Sequence, residues 1–220
     1  MMSSGITEGK IYKTSEEIIH GITHGIGILF SLIGMIILLY FAIIHGTTRH
    51  IISSTIYGVS LLLLYTASTL YHSIQHPKTK KILRQLDHTS IYILIAGSYT
   101  PFTLVNLRGT WGWILFIIVW SLAFAGIIMQ LTPLRKWKII RMLIYIVMGW
   151  TAITAIKPLS ISIPRNAFIL IVSGGIIYTA GIGFYLWRRI PFNHAIWHVF
   201  ILAGSTMHYF AVLSSLNHSL

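Results

Sequence analysis

Long apolar stretches separated by short polar segments are the feature that most constrains the fold of this 220-residue chain. A helix needs about 20 mostly apolar residues to cross a bilayer, and seven stretches reach or approach that length. They are approximately residues 25–44, 51–71, 88–107, 111–131, 139–156, 167–187 and 195–216. Strands of a membrane barrel are shorter and alternate in polarity, whereas Ile114–Trp120 is apolar throughout. The sequence predicts an all-α integral membrane bundle of seven transmembrane helices, forming one domain over residues 1–220.

The chain has a net charge of +12, and its basic residues lie mainly in alternate loops. Their placement indicates whether the charge reflects membrane topology or a binding partner. Twelve of the sixteen fall on one side: Lys10, Lys13, Lys78, Lys80, Lys81, Arg84, Arg135, Lys136, Lys138, Arg141, Arg188 and Arg189. The other four are Arg49, Arg108, Lys157 and Arg165. Such a bias in short loops predicts a cytoplasmic N-terminus and an outer C-terminus in the cell membrane. The charge is therefore attributed to topology and anionic lipid headgroups, and not to nucleic acid.

Two features of the composition limit the remaining possibilities. About 25 fairly polar residues precede the first apolar stretch and no small-residue cleavage pattern follows it, so we expect the first helix to be retained. The chain contains no cysteine. A metal site in this protein must therefore use nitrogen or oxygen ligands.

Three polar clusters lie at the ends of apolar stretches, and the predicted topology places all of them at the cytoplasmic edge. Asp87 is the only aspartate in the chain and opens the third span. Ser68 and His72 end the second span, and His194 and His198 begin the seventh. Each pair is four residues apart, so its members project from one helical face. Ionisable groups at such positions are costly and usually mark function.

Three imidazoles and one carboxylate in a partly dry pocket suit zinc, with His72, His194 and His198 as the expected ligands. Zinc would acidify a water molecule, and hydrolysis would then need a proton acceptor. Zinc metalloproteases carry a glutamate beside the first histidine of His-x-x-x-His, but Ala195 stands there. Asp87 is the expected general base, and Ser68 the expected donor to an oxyanion. Weaker candidates for the base precede the first span: Glu16 and Glu17.

Each of these residues also has a plainer explanation. Asp87 can be the N-cap of the third helix, after a loop over residues 73–86, and Ser68 can bond back to its own helix. His20 and His24 can belong to the metal site or a proton path, or can anchor the first helix at the interface. His208 is expected to be a hydrogen-bonded core histidine.

The chain resembles the hemolysin III family of bacterial membrane proteins, within the progestin and adiponectin receptor superfamily. The resemblance spans essentially the whole chain and is carried by four motifs: Thr23-His24-Gly25, Ser68-x-x-x-His72, Leu86-Asp87 followed by Gly97-Ser-Tyr-Thr-Pro-Phe102, and His194-x-x-x-His198. It implies a seven-helix bundle with a cytoplasmic N-terminus. It also implies one zinc held by His72, His194 and His198, with Asp87 and Ser68 near the metal-bound water.

Three functions are compatible with these patterns. The preferred one is a zinc-dependent, ceramidase-like hydrolase for a membrane lipid amide or ester that enters from the inner leaflet. The second is a hemolysin-type pore-forming protein. The third is a receptor-like regulator of membrane lipids in which zinc is structural, and this possibility gains if Asp87 is itself a metal ligand.

Overall fold

In the computed structural model, residues 12–107, 109–187 and 189–219 are described, and their regular structure is entirely helical. Eight α-helices follow one another in these ranges: α1 Thr14–His45, α2 Thr48–Ser73, α3 Pro77–Pro101, α4 Gly109–Leu131, α5 Lys138–Trp150, α6 Ile156–Ser162, α7 Arg165–Leu186 and α8 Asn193–Ser219. A π-helical turn, Phe102–Asn106, follows α3, and a 3₁₀ turn, Thr151–Ala155, joins α5 to α6. Of the charges used above to assign topology, Lys10, Arg108 and Arg188 lie outside the described residues.

Six helical segments of the described chain are long and apolar enough to cross a membrane. They are α1, α2, α4, α5 together with α6, α7 and α8. Their outward faces carry exposed isoleucine, leucine and phenylalanine side chains, as expected of surfaces that contact lipid. The prediction of an all-α membrane bundle is confirmed. Helix α3 is equally long but does not reach the same apolar composition, so the count of seven spans stays a prediction.

Helices α1 and α3 begin well before the apolar stretches that revealed them. The predicted span over residues 25–44 belongs to a helix that starts at Thr14, and the span over 88–107 to one that starts at Pro77. The predicted loop over residues 73–86 is therefore wrong, since only residues 74–76 separate α2 from α3. Proline is favourable at the first position of a helix, which is consistent with the start of α3 at Pro77. Hydropathy indicates which residues prefer lipid, but it does not indicate where the backbone hydrogen bonds of a helix begin.

The early start of α3 places Asp87 inside the helix, ten residues after Pro77. Its interpretation as an N-cap is therefore wrong, because the backbone N–H groups near it are already bonded within the helix. The carboxylate is 8% exposed and lies among helices. Asp87 therefore does not cap a helix, and helix capping does not explain why this carboxylate is buried.

Close packing of helix pairs positions the polar clusters. Helix α1 packs closely along α2, α7 packs along α8, and α1 also contacts α8. Glycines allow these approaches: a Cβ atom on Gly27 of α1 would overlap the ring of Tyr65 on α2. The first turns of α8 consequently lie against α1 and the last turn of α2. Helix α5 packs only sparsely against α7, and a cavity of about 100 Å³ lies between them and the rest of the bundle.

Candidate metal centre and cavity

The histidines of α2 and α8 meet with their ring nitrogens facing one another. His194 Nε2 lies 3.3 Å from His72 Nε2 and 3.1 Å from His198 Nε2. His72 and His198 are at most 2% exposed, and His194 is 8% exposed. The structure thus brings together the three histidines that the two His-containing motifs predicted as ligands.

Hydrogen bonds at the far side of two of these rings determine where their protons are. His72 Nδ1 donates to Glu17 Oε2 at 2.6 Å, and His198 Nδ1 lies 3.3 Å from the carbonyl oxygen of His20, which can only accept. In the neutral rings, Nε2 of His72 and Nε2 of His198 therefore carry lone pairs. Both lone pairs are available for a metal ion, and an outer hydrogen bond of this kind is typical of metal-ligating histidine.

The lone pairs on Nε2 of His72 and of His198 both approach Nε2 of His194, and one ring nitrogen cannot satisfy both of them. Even if His194 carries its hydrogen on Nε2, it can donate that hydrogen to only one of the other two rings. A cation between the three rings removes this mismatch. Two nitrogens bound at 2.0–2.1 Å in a tetrahedral zinc site lie about 3.3 Å apart, close to the observed 3.1 and 3.3 Å. The donor set fits a zinc-like ion.

His20 is a fourth imidazole at this place, which the sequence motifs did not single out. Three buried histidines, His20, His72 and His194, each offer a ring nitrogen within 4.8 Å of the others and could hold a metal ion. The ring centroid of His20 lies 4.6 Å from that of His72, 4.7 Å from that of His194 and 5.2 Å from that of His198. Four rings therefore surround one point.

Glu17 is a second residue whose position only the structure shows. Its carboxylate is 7% exposed, accepts from His72 Nδ1 and also accepts from Lys80 Nζ at 2.9 Å. The signal was present in the sequence, because Glu17, His20 and His24 are three and four residues apart and share one helical face. From the sequence, Glu17 was only a weaker candidate for the general base, and its bond to His72 was not predicted because this turn of α1 precedes the apolar stretch.

Asp87 and Ser68 both line the cavity, together with His194 and His198. Asp87 Oδ2 lies 3.4 Å from Nδ1 of the neighbouring His88. Ser68 Oγ is buried and has no hydrogen-bond partner in the described protein, so the plainer explanation that it bonds back to its own helix is not observed. A buried carboxylate and a buried hydroxyl without a protein partner thus share one space with two of the predicted metal ligands.

Two aromatic contacts enclose the histidines. The ring of His24, which also lines the cavity, stacks on His198 with centroids 3.7 Å apart. The ring of Tyr12, just before α1, stacks on His194 with centroids 5.1 Å apart and also contacts His20. Burial raises the pKa of the Tyr12 phenol well above its ordinary value, so the group is a neutral O–H. The cluster is covered where α1 begins and open toward the cavity.

Away from the histidines, the cavity wall is mainly apolar. Its sides are formed by aliphatic and aromatic residues of five helices, among them Leu64, Ile91, Leu94, Tyr145, Ile182 and Ile201. The cavity continues along α8 as far as His208. An elongated apolar space with polar groups at one end matches a ligand that has a polar head and a hydrocarbon chain.

Comparison with known proteins finds the same family that the sequence motifs indicated. A family described as Haemolysin-III related matches residues 12–209. The chain is 51% identical to Hemolysin-3 of Bacillus cereus over 198 residues, covering 90% of each protein, and 49% identical to the Hemolysin-3 homolog of Bacillus subtilis (strain 168) over 203 residues, covering 92% of this chain and 95% of the relative.

A human protein is a more distant relative. The monocyte to macrophage differentiation factor of Homo sapiens is 28% identical over 174 residues, covering 76% of this chain and 72% of its own length. This relative fits the wider progestin and adiponectin receptor superfamily. The helices, the clustered histidines and these matches agree that the chain is a multi-pass membrane protein and belongs to the haemolysin-III related family.

Proposed function

We propose that this protein is a zinc-dependent integral membrane hydrolase that cleaves an amide or ester bond of a membrane lipid, in the manner of a ceramidase. The observation that carries the proposal is the approach of His194 Nε2 to Nε2 of His72 at 3.3 Å and to Nε2 of His198 at 3.1 Å, with the ring hydrogens of His72 and His198 on their outer Nδ1 atoms. Such a nitrogen set binds zinc and leaves a fourth position for substrate or water.

The topology that we propose has seven membrane spans, with α3 as the third. Helix α3 is 25 residues long, packs along α2 and contacts α4, and its C-terminal half is mostly buried inside the bundle. A span surrounded by other helices can be less apolar than one that faces lipid. With the N-terminus in the cytoplasm of the cell, as the basic loops predict, the histidines lie near the cytoplasmic face of the cell membrane.

The roles of the residues follow from their positions around the cavity. A bound zinc ion would supply Lewis acidity, which polarises a carbonyl group and acidifies water. Asp87 would take the proton from the attacking water and return it to the leaving group, as a general base and then a general acid. Ser68 would donate its hydroxyl hydrogen to the developing oxyanion. Glu17 would hold His72 in the tautomer that binds metal.

The cavity supports a lipid substrate over a water-soluble one. Its wall below Asp87 is apolar, and α5 packs only sparsely against α7 beside it. A hydrocarbon chain in this space would place its carbonyl end beside the histidines. The same apolar wall disfavours a charged or strongly hydrated substrate, because its hydrated groups would lose water without gaining partners.

Metal content is the first test. We expect close to one zinc per protein in the detergent-purified chain by elemental mass spectrometry, and its loss in His72→Ala, His194→Ala and His198→Ala. His76→Ala is the matched control, since His76 is exposed and bonds only locally to Thr79. A wild type that stays metal-free when zinc is added would exclude the hydrolase and favour the pore-forming alternative, which the name of the Bacillus cereus relative also raises.

A second candidate function is a receptor-like protein with a structural zinc, and the position of His20 favours it. If His20 supplies a fourth nitrogen, the metal has no open position, which is the mark of a structural site. X-ray absorption on the zinc-loaded protein separates the two: four nitrogen ligands, falling to three in His20→Ala, would support the structural role. Three nitrogens and one oxygen in the wild type would support the hydrolase.

A further inference from the structure

A second polar group lies at the far end of the cavity from the histidine cluster. We call it the deep polar group, and it consists of Tyr178 on α7 with Ser205 and His208 on α8. His208 is ten residues after His198, which on a helix corresponds to about 15 Å along the axis. Between the two ends the cavity wall is apolar, with Leu64, Leu94 and Ile201 among its residues.

The proton position on His208 is determined by its backbone partner. His208 Nε2 donates to the carbonyl oxygen of Ile171 at 3.2 Å, so the neutral ring carries its hydrogen on Nε2 and a lone pair on Nδ1. Nδ1 has no partner among the described residues, and the ring lines the cavity. Gly174 makes the arrangement possible, because a Cβ atom there would lie 2.6 Å from Nε2. Nδ1 is therefore an unused hydrogen-bond acceptor on a ring that lines the cavity.

Tyr178 and Ser205 supply the complementary donor. Their hydroxyl oxygens are 2.8 Å apart, and either one can donate to the other. The hydroxyl of Tyr65 on α2 also approaches Ser205, and hydroxyls joined in a chain by hydrogen bonds keep one O–H hydrogen more than the chain uses. The Tyr178 and His208 rings are in edge contact, with centroids 5.3 Å apart, so the spare donor and the spare acceptor are neighbours.

Three polar side chains that line the cavity, Tyr99, Trp150 and Thr179, are already satisfied. Trp150 Nε1 donates to Thr179 Oγ1 at 3.0 Å, and that hydroxyl donates to the carbonyl of Gly175. Tyr99 donates to the carbonyl of Gly149 at 2.7 Å and accepts from a backbone N–H. The deep polar group differs from them because it keeps both a donor and an acceptor for a ligand.

We propose that the deep polar group binds a hydroxyl group carried on the hydrocarbon chain of the lipid. A hydroxyl is itself one donor and an acceptor, so a single group satisfies both His208 Nδ1 and the Tyr178–Ser205 pair. The two ends of the cavity are about 15 Å apart along α8, which is half the thickness of a hydrocarbon core of about 30 Å. A lipid with its carbonyl group at the histidine cluster would therefore have this hydroxyl near the middle of its hydrocarbon chain. The substrate class is then a lipid with a mid-chain hydroxylated acyl group.

The inference that such a lipid is the substrate rests on the proposed hydrolase function. The inference that the deep polar group binds a hydroxyl does not rest on it. A mid-chain hydroxyl has no partner among lipid tails, where an unpaired polar group is costly. Transfer into the cavity gives it two hydrogen bonds. We therefore expect a selective gain in binding for a chain hydroxylated at this depth, whether or not the bound molecule is cleaved.

The test measures binding of fatty acids, which contain no bond for the proposed reaction to cleave. The probes are octadecanoic acid with a hydroxyl at carbon ten or twelve, the same acid with a hydroxyl at carbon two, and unsubstituted octadecanoic acid. Dissociation constants are measured by competition in detergent micelles. Two hydrogen bonds predict that a mid-chain hydroxylated acid binds about fivefold to tenfold more tightly than the other two.

The decisive variant is His208→Phe, with His45→Phe as the control at an exposed ring position. We expect His208→Phe to bind unsubstituted octadecanoic acid like the wild type but to lose the preference for the mid-chain hydroxyl, and His45→Phe to keep it. Tyr178→Phe, which removes one of the paired hydroxyls, provides a second variant if His208→Phe does not fold, and should weaken the preference.

Equal binding of all probes by the wild type would overturn the proposal, as would a preference that survives in His208→Phe. So would a failure of every chain to bind. The outcome is independent of the proposed hydrolase: a protein that lacks zinc or turnover but shows the preference retains the deep site, and a hydrolase without the preference loses only this inference.

Discussion

Two histidine sites face one cavity from opposite ends, and their ring nitrogens are paired in different ways. At one end, Nε2 of His194 faces Nε2 of His72 and Nε2 of His198 at 3.3 and 3.1 Å. At the other end, Nε2 of His208 donates to the carbonyl oxygen of Ile171 at 3.2 Å. The first set leaves lone pairs that a metal ion could satisfy, whereas His208 is already held in place by the backbone.

The difference shows that the chemistry of a buried histidine is set by the partner of each ring nitrogen. His72 and His198 donate outward from Nδ1, which leaves the lone pairs of both Nε2 atoms on the side of His194 Nε2. His208 donates from Nε2, which leaves Nδ1 as a single acceptor for a neutral group. Residues of one type on one helix, ten positions apart, are thereby suited to a metal ion and to a hydroxyl.

The largest expected effect is on zinc content, which should differ between variants at the two ends of the cavity. His198→Phe should remove nearly all bound zinc, because it deletes one of three converging nitrogens, whereas His208→Phe should leave the zinc content of the wild type unchanged. Elemental mass spectrometry on both variants, purified side by side, measures this. Equal loss of zinc from the two variants would mean that the comparison between the ends is wrong.

Asp87 is expected to affect turnover and not metal retention. Asp87→Asn keeps the size of the side chain but removes the base, so hydrolysis of a lipid amide should fall by about a hundredfold to ten-thousandfold. Zinc content should stay near that of the wild type. Loss of zinc together with turnover would instead identify Asp87 as a metal ligand and support the structural role of the site.

Glu17 tests whether the tautomer of His72 matters. Glu17→Gln replaces the carboxylate that accepts the His72 Nδ1 hydrogen by a neutral amide, which is a weaker acceptor. It should weaken zinc binding by about tenfold to a hundredfold, the usual size of such outer contacts. Competition with a zinc-selective chelator measures the affinity. Glu16→Gln is the control, since Glu16 bonds to the backbone of Lys13 at the start of α1. An equal effect in both would show that net charge, and not the His72 contact, is responsible.

The smallest expected effect concerns the packing that holds His208. Gly174→Ala adds a Cβ atom against the His208 ring, and should lower the free energy of unfolding by about 1 to 2 kcal/mol after its gain in helix propensity. Gly183→Ala lies on the same helix with nothing within 4 Å of the added atom, and should be neutral or stabilising. Thermal unfolding in detergent compares the two variants with the wild type. A Gly174→Ala variant more stable than the wild type would contradict the close contact between Gly174 and the His208 ring.

Hydropathy predicted the helical class because a chain in lipid must satisfy its own backbone hydrogen bonds. It did not predict where helices begin outside the lipid-like stretches: α1 starts at Thr14 and α3 at Pro77, in polar sequence. Because of this limit, Glu17 and His20, which lie in that polar part of α1, were only weaker candidates from the sequence, and their contacts with His72 were not predicted. The same limit led to the interpretation of Asp87 as an N-cap.

The sequence by itself determined the apolar stretches, their helical nature, and the residue types available to a metal site, since no cysteine is present. The four-residue spacing of His194 and His198 also required that both project from one helical face. These properties follow from local geometry and composition, which are readable along the chain.

Only the tertiary structure decided what those residues face. The approach of α1 to α2 and α8 brought Glu17 and His20 to the cluster, and contacts between helices assigned the ring protons of His72, His198 and His208. Such contacts join residues up to 178 positions apart in sequence. No local pattern specifies them, because they depend on how whole helices pack against one another.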